Sequence, residues 1–76
     1  MKTIDTVWIA ISMDDEGNER ITSFMSEFGW IPLIATDDET LRGMSETVRL
    51  IAEKDGEVIR IARLTLADVE IIDGRH

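Results

Sequence analysis

The chain contains no cysteine, and this absence removes two of the ways in which small domains are reinforced. A folded chain of only 76 residues buries roughly 60% of the surface that its unfolded form exposes. Disulfides cannot supplement so small a core, and metal sites built on thiolates are excluded with them. A binding partner is the usual remaining source of additional burial.

Basic residues are also scarce, because 8 Lys and Arg stand against 16 Asp and Glu, giving a net charge of -8. Contacts to phosphate are made mainly by Lys and Arg, so this balance argues against unaided binding to DNA, RNA or an anionic membrane. Apolar residues nevertheless make up 43% of the chain, which predicts folding rather than disorder.

Long apolar runs are missing as well. The two longest, at residues 7–11 and 30–35, are far shorter than the roughly 20 residues of a membrane span. No charged segment followed by an apolar stretch opens the sequence, so we expect no signal peptide. Without repeats or linkers, residues 1–76 are predicted to form a single domain located in the cytoplasm.

An alternation of period two predicts that the first half of the chain forms strands. Thr3 to Met13 is the first strand, and residues 14–18 form a turn before a second strand from Arg20 to Met25. The pattern indicates an antiparallel hairpin. We expect one face of the first strand to pack under a helix, namely Val7, Ile9, Ile11 and Met13. The other face, Trp8, Ala10 and Ser12, is expected to stay uncovered.

A second turn at residues 26–29 precedes a short apolar run from Trp30 to Ala35. Pro32 cannot donate to a strand ladder, so this third strand is expected at an edge or with an interruption. Phe24 and Phe28 are expected in the core.

The helix is the most strongly marked element. Thr36 and Glu39 have the spacing of a capping box, and Gly56 suits the position just beyond the last helical turn. One apolar stripe runs along the intervening residues: Leu41, Met44, Val48, Ile51 and Ala52.

Residues 57–66 are predicted to form the last strand, with a bulge where the alternation fails at residues 62–64. Residues 65–72 fit a short helix and a further strand equally well. The predicted fold class is α+β: a small antiparallel sheet of three to four strands in the order β-β-β-α-β, with one amphipathic helix packed on one face.

Motifs for catalysis, metals and cofactors are weak or missing. The only histidine is the terminal His76, and cysteine nucleophiles are excluded, so an enzyme is not expected. Asp14, Glu16 and Asn18 have the spacing that opens a calcium loop, but the glycine and glutamate that such a loop needs at its sixth and twelfth positions are replaced. We therefore predict no metal site and no cofactor.

Acidic residues concentrate in the first half of the chain. Residues 1–39 hold nine acids and two bases, whereas residues 40–76 hold seven acids and six bases. If the acidic loop and the helix N-terminus lie close together, they form one face that steers a basic protein partner. Solubility alone is the competing explanation. The candidate partner-binding acids are Asp14, Asp15, Glu16, Glu19, Asp37, Asp38 and Glu39.

The two tryptophans complete the candidate partner site, because tryptophan is enriched in binding hot spots. Trp8 is expected on the uncovered sheet face and Trp30 near an edge, and either could instead belong to the core. The uncovered face, with Val58, Ala62 and Leu64 beside Trp8, also suits a homodimer, as do the later apolar residues Val69, Ile71 and Ile72.

A compact, strongly acidic chain without cysteine, with a small sheet, one helix and no catalytic set, resembles the small phage-encoded anti-defence proteins, of which anti-CRISPR proteins are the best-known group. The resemblance implies inhibition by binding in the host cytoplasm: an acidic face occupies the basic nucleic-acid channel of a nucleic-acid-handling protein complex, or blocks a contact between its subunits. The alternative is a structural or regulatory homodimer from a bacterial or phage operon. A small-ligand or metal site between sheet and helix is a third interpretation.

Overall fold

In the computed structural model, which describes residues 3–75, one helix lies on one face of a four-stranded antiparallel sheet, and two further strands form a separate hairpin. This confirms the α+β fold expected from the sequence. The elements are β1 (Thr6–Met13), β2 (Glu19–Ile21), β3 (Ser23–Ser26), β4 (Gly29–Pro32), β5 (Ile34–Ala35), α1 (Asp38–Asp55) and β6 (Arg60–Thr65).

Strand β1 is the centre of the sheet and pairs along both of its edges. On one edge β6 runs antiparallel to it, from Thr65 opposite Thr6 to Arg60 opposite Ile11. On the other edge β2 pairs with the second half of β1 and β5 with the first half, both antiparallel. Strands β2 and β5 thus lie in line along one edge, with residues 22–33 inserted between them.

Both ends of the inserted segment are hydrogen-bonded to Ala10, near the middle of β1. The Thr22 amide donates to the Ala10 carbonyl at 2.8 Å, and the Ala10 amide donates to the Leu33 carbonyl at 3.1 Å. A third bond, from the Leu33 amide to the Thr22 carbonyl at 2.8 Å, closes the base of the insertion. Every backbone group at this junction that faces another strand is therefore paired, as buried backbone requires.

Strands β3 and β4 form the inserted hairpin, which we call the hairpin arm (residues 23–32). Pro32 is the last residue of β4 and lies opposite Ser23, and the strand is interrupted at Leu33 before β5. The prediction of an interrupted strand at Pro32 is confirmed. Among the described residues β4 pairs only with β3, so the missing N–H of Pro32 costs no ladder bond.

Helix α1 begins one residue later than the capping box predicts. Asp37 is the N-cap, and its Oδ1 accepts from the Thr40 amide at 2.7 Å. The prediction of a Thr36–Glu39 capping box is therefore wrong. Aspartate is favoured at the N-cap because its carboxylate accepts a hydrogen bond from a free helix amide no less readily than a threonine hydroxyl. Gly56 ends the helix at φ 65°, with its amide bonded to the Ala52 carbonyl, as expected.

The core lies between α1 and the even-numbered face of β1, which reverses the expected orientation of that strand. Ala10 and Ser12 are buried, and Trp8 packs against the core cluster. Val7, Ile9, Ile11 and Met13 occupy the opposite face, away from the helix. Two predictions are wrong here: that the branched residues pack under the helix, and that Trp8 lies on the uncovered face. The buried apolar residues among those described are Ala10, Leu33, Ala35, Met44 and Val48.

Strand β6 keeps one continuous register with β1, so the expected bulge at residues 62–64 is absent from this part of the chain. After Thr65 the chain forms neither the helix nor the strand considered for residues 65–72. Residues 66–75, here called the extended segment, are exposed, with Val69, Ile71 and Ile72 at 75%, 86% and 87% of their full exposure. No helix within residues 3–75 is long and apolar enough to cross a membrane.

Candidate functional site

The hairpin arm carries a cluster of exposed apolar side chains. Met25 and Trp30 lie directly opposite each other on one face of the arm, and Phe28 is in the turn between the strands. Trp30 is 69% exposed and Phe28 is 87% exposed. Phe24 and Ile31 share the other face, where Phe24 packs against the core. The arm is thus held to the domain by one face and presents the other to solvent.

The turn of the arm is fixed by its own hydrogen bonds. The Phe28 amide donates to Ser26 Oγ at 3.0 Å, and the same hydroxyl donates to the Gly29 carbonyl at 3.0 Å. Gly29 has a φ of 108°, a conformation that other residues rarely adopt. Because these constraints order the turn before any partner arrives, the arm presents Phe28 and Trp30 at a reduced entropic cost of binding.

Acidic groups border Trp30 at the end of the helix. Trp30 lines a surface depression together with Ile51, Arg20, Asp55 and Glu57. Arg20 and Glu57 form an ion pair across this depression at 3.9 Å. The neighbourhood combines an exposed aromatic ring with carboxylates, a combination that suits a partner surface bearing Lys or Arg.

The acidic loop between β1 and β2 lies at the same end of the molecule. Glu57 also lines a depression with Met13 and Glu19, which flank the loop. Asp14 does not face outward like its neighbours, because its Oδ1 accepts from the amides of Glu16 and Asn18, both at 2.9 Å. The candidate acids of this loop therefore divide into one structural residue, Asp14, and exposed residues that include Asp15 and Glu16.

We expect Asp14→Ala to lower the free energy of unfolding by about 1 kcal/mol, because two loop amides lose their acceptor. Asp15→Ala removes the same charge from the same loop without breaking either bond, and its effect should stay within about 0.5 kcal/mol. Urea unfolding followed by circular dichroism measures both. Equal losses in the two variants would contradict a structural role for Asp14.

The second group of candidate acids is at the opposite end of β1. Asp37, Asp38 and Glu39 line a depression with Trp8, near the start of that strand. The acidic loop follows Met13, so the two groups are about 17 Å apart along a strand that rises about 3.3 Å per residue. The structure does not bring them together into the single acidic face that the sequence suggested.

Trp8 and Phe28 exchange the places expected for them. Trp8 is partly buried against the core cluster, whereas Phe28 is the most exposed of the three aromatic residues in the arm. Phe28 was expected in the core, and this prediction is wrong. Its position between Glu27 and Gly29 in a turn is the signal that should have placed it at the surface.

The described residues contain no group of three or more His, Cys, Asp or Glu side chains that could hold a metal ion. His76 lies outside the described residues. One pair of titratable groups interacts closely: Arg75 donates to Asp73, which lowers the pKa of the Asp73 carboxyl and raises the pKa of Arg75. Both groups are at the solvent-exposed end of the extended segment, so this ion pair is local.

Comparison with known proteins returned no match to this chain among protein-family models, curated proteins or solved structures.

Proposed function

We propose that this chain is a non-enzymatic protein-binding module whose binding site is the outer face of the hairpin arm. The observation that carries the proposal is the exposure of Trp30 and Phe28 on an ordered hairpin. Aromatic side chains of this size dominate binding energy where they enter a partner's pocket.

The proposed partner is a protein with a basic surface. Asp55 and Glu57 border Trp30, and the acidic loop lies at the same end of the molecule. These carboxylates would steer a Lys-rich or Arg-rich surface toward the arm and set its orientation, while the aromatic residues supply most of the affinity. Asp37, Asp38 and Glu39 lie at the other end and contribute only to long-range attraction.

A basic surface that accepts such a module is often one that normally holds nucleic acid. We therefore propose inhibition as the mode of action, in the manner that the resemblance to anti-CRISPR proteins implies: the module occupies a nucleic-acid-binding surface of a host protein complex. The net charge of -8 supports this proposal, since the module would compete with a polyanion for the same cationic groups.

The test begins with affinity capture from a bacterial lysate on the immobilised chain at low and high salt, after nuclease treatment. The captured protein is then purified, and its binding to a labelled nucleic acid is measured with increasing amounts of the module. We expect competition. Trp30→Ala should weaken it roughly 30-fold, because truncation of an aromatic hot spot costs about 2 kcal/mol.

Two matched controls separate specific from general effects. Leu50→Ala removes an apolar side chain of 66% exposure from the outer face of the helix, and it should leave competition unchanged. Asp15→Asn with Glu16→Gln should weaken competition more than Asp38→Asn with Glu39→Gln, although each pair removes two charges. If Trp30→Ala competes as well as the unchanged chain, the arm is not the binding site.

The alternative expectation, a homodimeric structural or regulatory protein, is favoured by a different part of the molecule, the uncovered face of the sheet. A dimer through that face leaves the arm free, so the two functions are compatible.

A further inference from the structure

The chain exposes far more surface than a self-sufficient domain of its mass. Its accessible surface is 6663 Å², whereas a folded monomer of 8.6 kDa has about 4,700 Å². Its radius of gyration is 14.8 Å, compared with about 11 Å for a compact chain of this length. The excess, about 2,000 Å², is larger than the roughly 800 Å² that each partner contributes to a standard interface.

Part of this excess is the face of the sheet that α1 does not cover. Residues directly opposite each other in neighbouring strands share a face, and the pairs with Val7, Ile9 and Ile11 define this one. We call it the open sheet face; its apolar members are Val7, Ile9, Ile11, Met13, Ile21, Ile34, Ala62 and Leu64.

Several of these side chains are exposed because no helix or second sheet of the described residues covers this face. Leu64 is 48% exposed, Ile21 44% and Ile34 41%, although all three are in paired strands. On the helix side Ala10 and Ala35 are at 0% and 1%, and Ile61, on the edge strand β6, is 38% exposed. A sheet with large apolar residues on both faces is typical of a sheet that is covered on both faces.

Charge on the open sheet face is balanced. Arg60 lies opposite Ile11 and Glu19 lies opposite Met13, so both share the face, and they form an ion pair with each other. The exposed acids Asp15 and Glu16 are beyond the end of β1. The sheet itself therefore offers no excess of negative charge to a basic partner, and two copies of it can meet without opposing like charges.

We propose that the open sheet face is a homodimer interface, in which the sheets of two copies pack face to face and the two helices lie on the outside. Aligned sheets pack about 10 Å apart with interdigitating side chains, which the branched residues of β1 and its neighbours supply. Obligate homodimer interfaces bury about 1,000 Å² or more per chain and are richer in apolar atoms than transient ones. The excess exposed surface of the whole chain, about 2,000 Å², is enough for an interface of that size.

The extended segment is the second part of the same proposed interface. It continues from β6, the Leu66 amide donates to the Asp5 carbonyl at 3.0 Å, and Val69, Ile71 and Ile72 follow with almost no burial. Ten residues span at most about 33 Å when fully extended, which is longer than the eight-residue β1. The segment therefore has the reach to cross the second copy and bury its apolar residues there.

Sedimentation equilibrium of the full chain over a range of concentrations is the first test. We expect a species of twice the chain mass at micromolar concentration. Ile21→Glu together with Leu64→Glu places carboxylates on both sides of the interface and should weaken the dimer at least 100-fold. Leu50→Glu adds the same charge to an exposed apolar site on the helix and should leave the dimer intact.

A second test does not depend on how the double variant folds. Since the chain has no cysteine, Leu64→Cys and Leu50→Cys each provide a single thiol. A short bismaleimide should cross-link the Leu64→Cys chain into a dimer in high yield and the Leu50→Cys chain hardly at all. A monomer at every concentration, equal cross-linking of both variants, or a dimer that survives the two glutamates would each overturn the proposal.

These outcomes are independent of the proposed partner site. Trp30→Ala alters competition for the basic partner and should leave the dimer mass unchanged, because the arm lies outside the open sheet face. Conversely, the glutamate variant should lose the dimer while the arm keeps its aromatic residues.

Discussion

Met44→Ala is expected to lower the free energy of unfolding by about 3 kcal/mol, a large fraction of the stability of a chain of this size. Met44 is 5% exposed and is one of only five buried apolar residues among those described. It lies in the middle of α1, where the helix rests on the sheet. Truncation to alanine removes three heavy atoms, Cγ, Sδ and Cε, and leaves a cavity between the helix and the sheet beside Val48 and Ala35.

Thermal and urea unfolding at one fixed protein concentration measure this loss, because association would make the transition midpoint depend on concentration. The midpoint temperature should fall by roughly 15 °C in a domain of this length. Leu50→Ala is the matched control: it truncates a residue of 66% exposure on the same helix and should change the free energy by less than about 0.5 kcal/mol. Similar losses in both variants would contradict the burial of Met44.

The helix was predictable because its signals are local. Met44 and Val48 are one turn apart, so their burial on one side follows from the helical period alone. The helix ends at Gly56 because the residue after its last turn adopts a left-handed conformation, which favours glycine. These features depend on neighbours within four residues, and a single sequence contains them in full.

The orientation of β1 was not predictable in the same way. Its two faces are both apolar, and period two shows that they alternate without showing which one meets the helix. The larger residues Val7 and Ile9 were expected inside. The helix instead covers Ala10, where a small side chain permits close approach, and large residues remain outside. An open sheet face rich in branched residues is the consequence, and only long-range packing reveals it.

The predicted positions of the candidate site residues were also right where the signals are local and wrong where they depend on long-range packing. Trp30 was predicted near an edge, because turn residues and Pro32 mark that region in the sequence. In the structure it is exposed on the hairpin arm. Trp8 was assigned to the surface only through the orientation of β1, so the error in orientation carried over to it. The two acidic groups were expected to converge, but the distance between a loop and a helix N-terminus depends on topology, which one sequence does not specify.

Ala10→Leu is expected to lower the free energy of unfolding by about 2 kcal/mol, because it overpacks the buried centre of β1 against the helix. Ala10 is fully buried, and its backbone bonds to both Thr22 and Leu33. Those bonds tie β1 to the base of the hairpin arm, so β1 cannot shift alone to admit three more carbon atoms. The added side chain must therefore displace the helix or break the base of the hairpin arm.

Ala62→Leu is the matched control, because it is the same substitution at a different position of the sheet. It makes the same change on β6, opposite Ile9, on the face away from the helix. Since that side chain enters the open sheet face, Ala62→Leu should change the free energy of unfolding of the single chain by less than about 0.5 kcal/mol. Because Ala62 belongs to the proposed dimer interface, urea unfolding of the two variants is compared at a concentration at which sedimentation shows the single chain. A greater loss from Ala62→Leu than from Ala10→Leu would mean that the helix covers the other face of β1, and the open sheet face would then be the core.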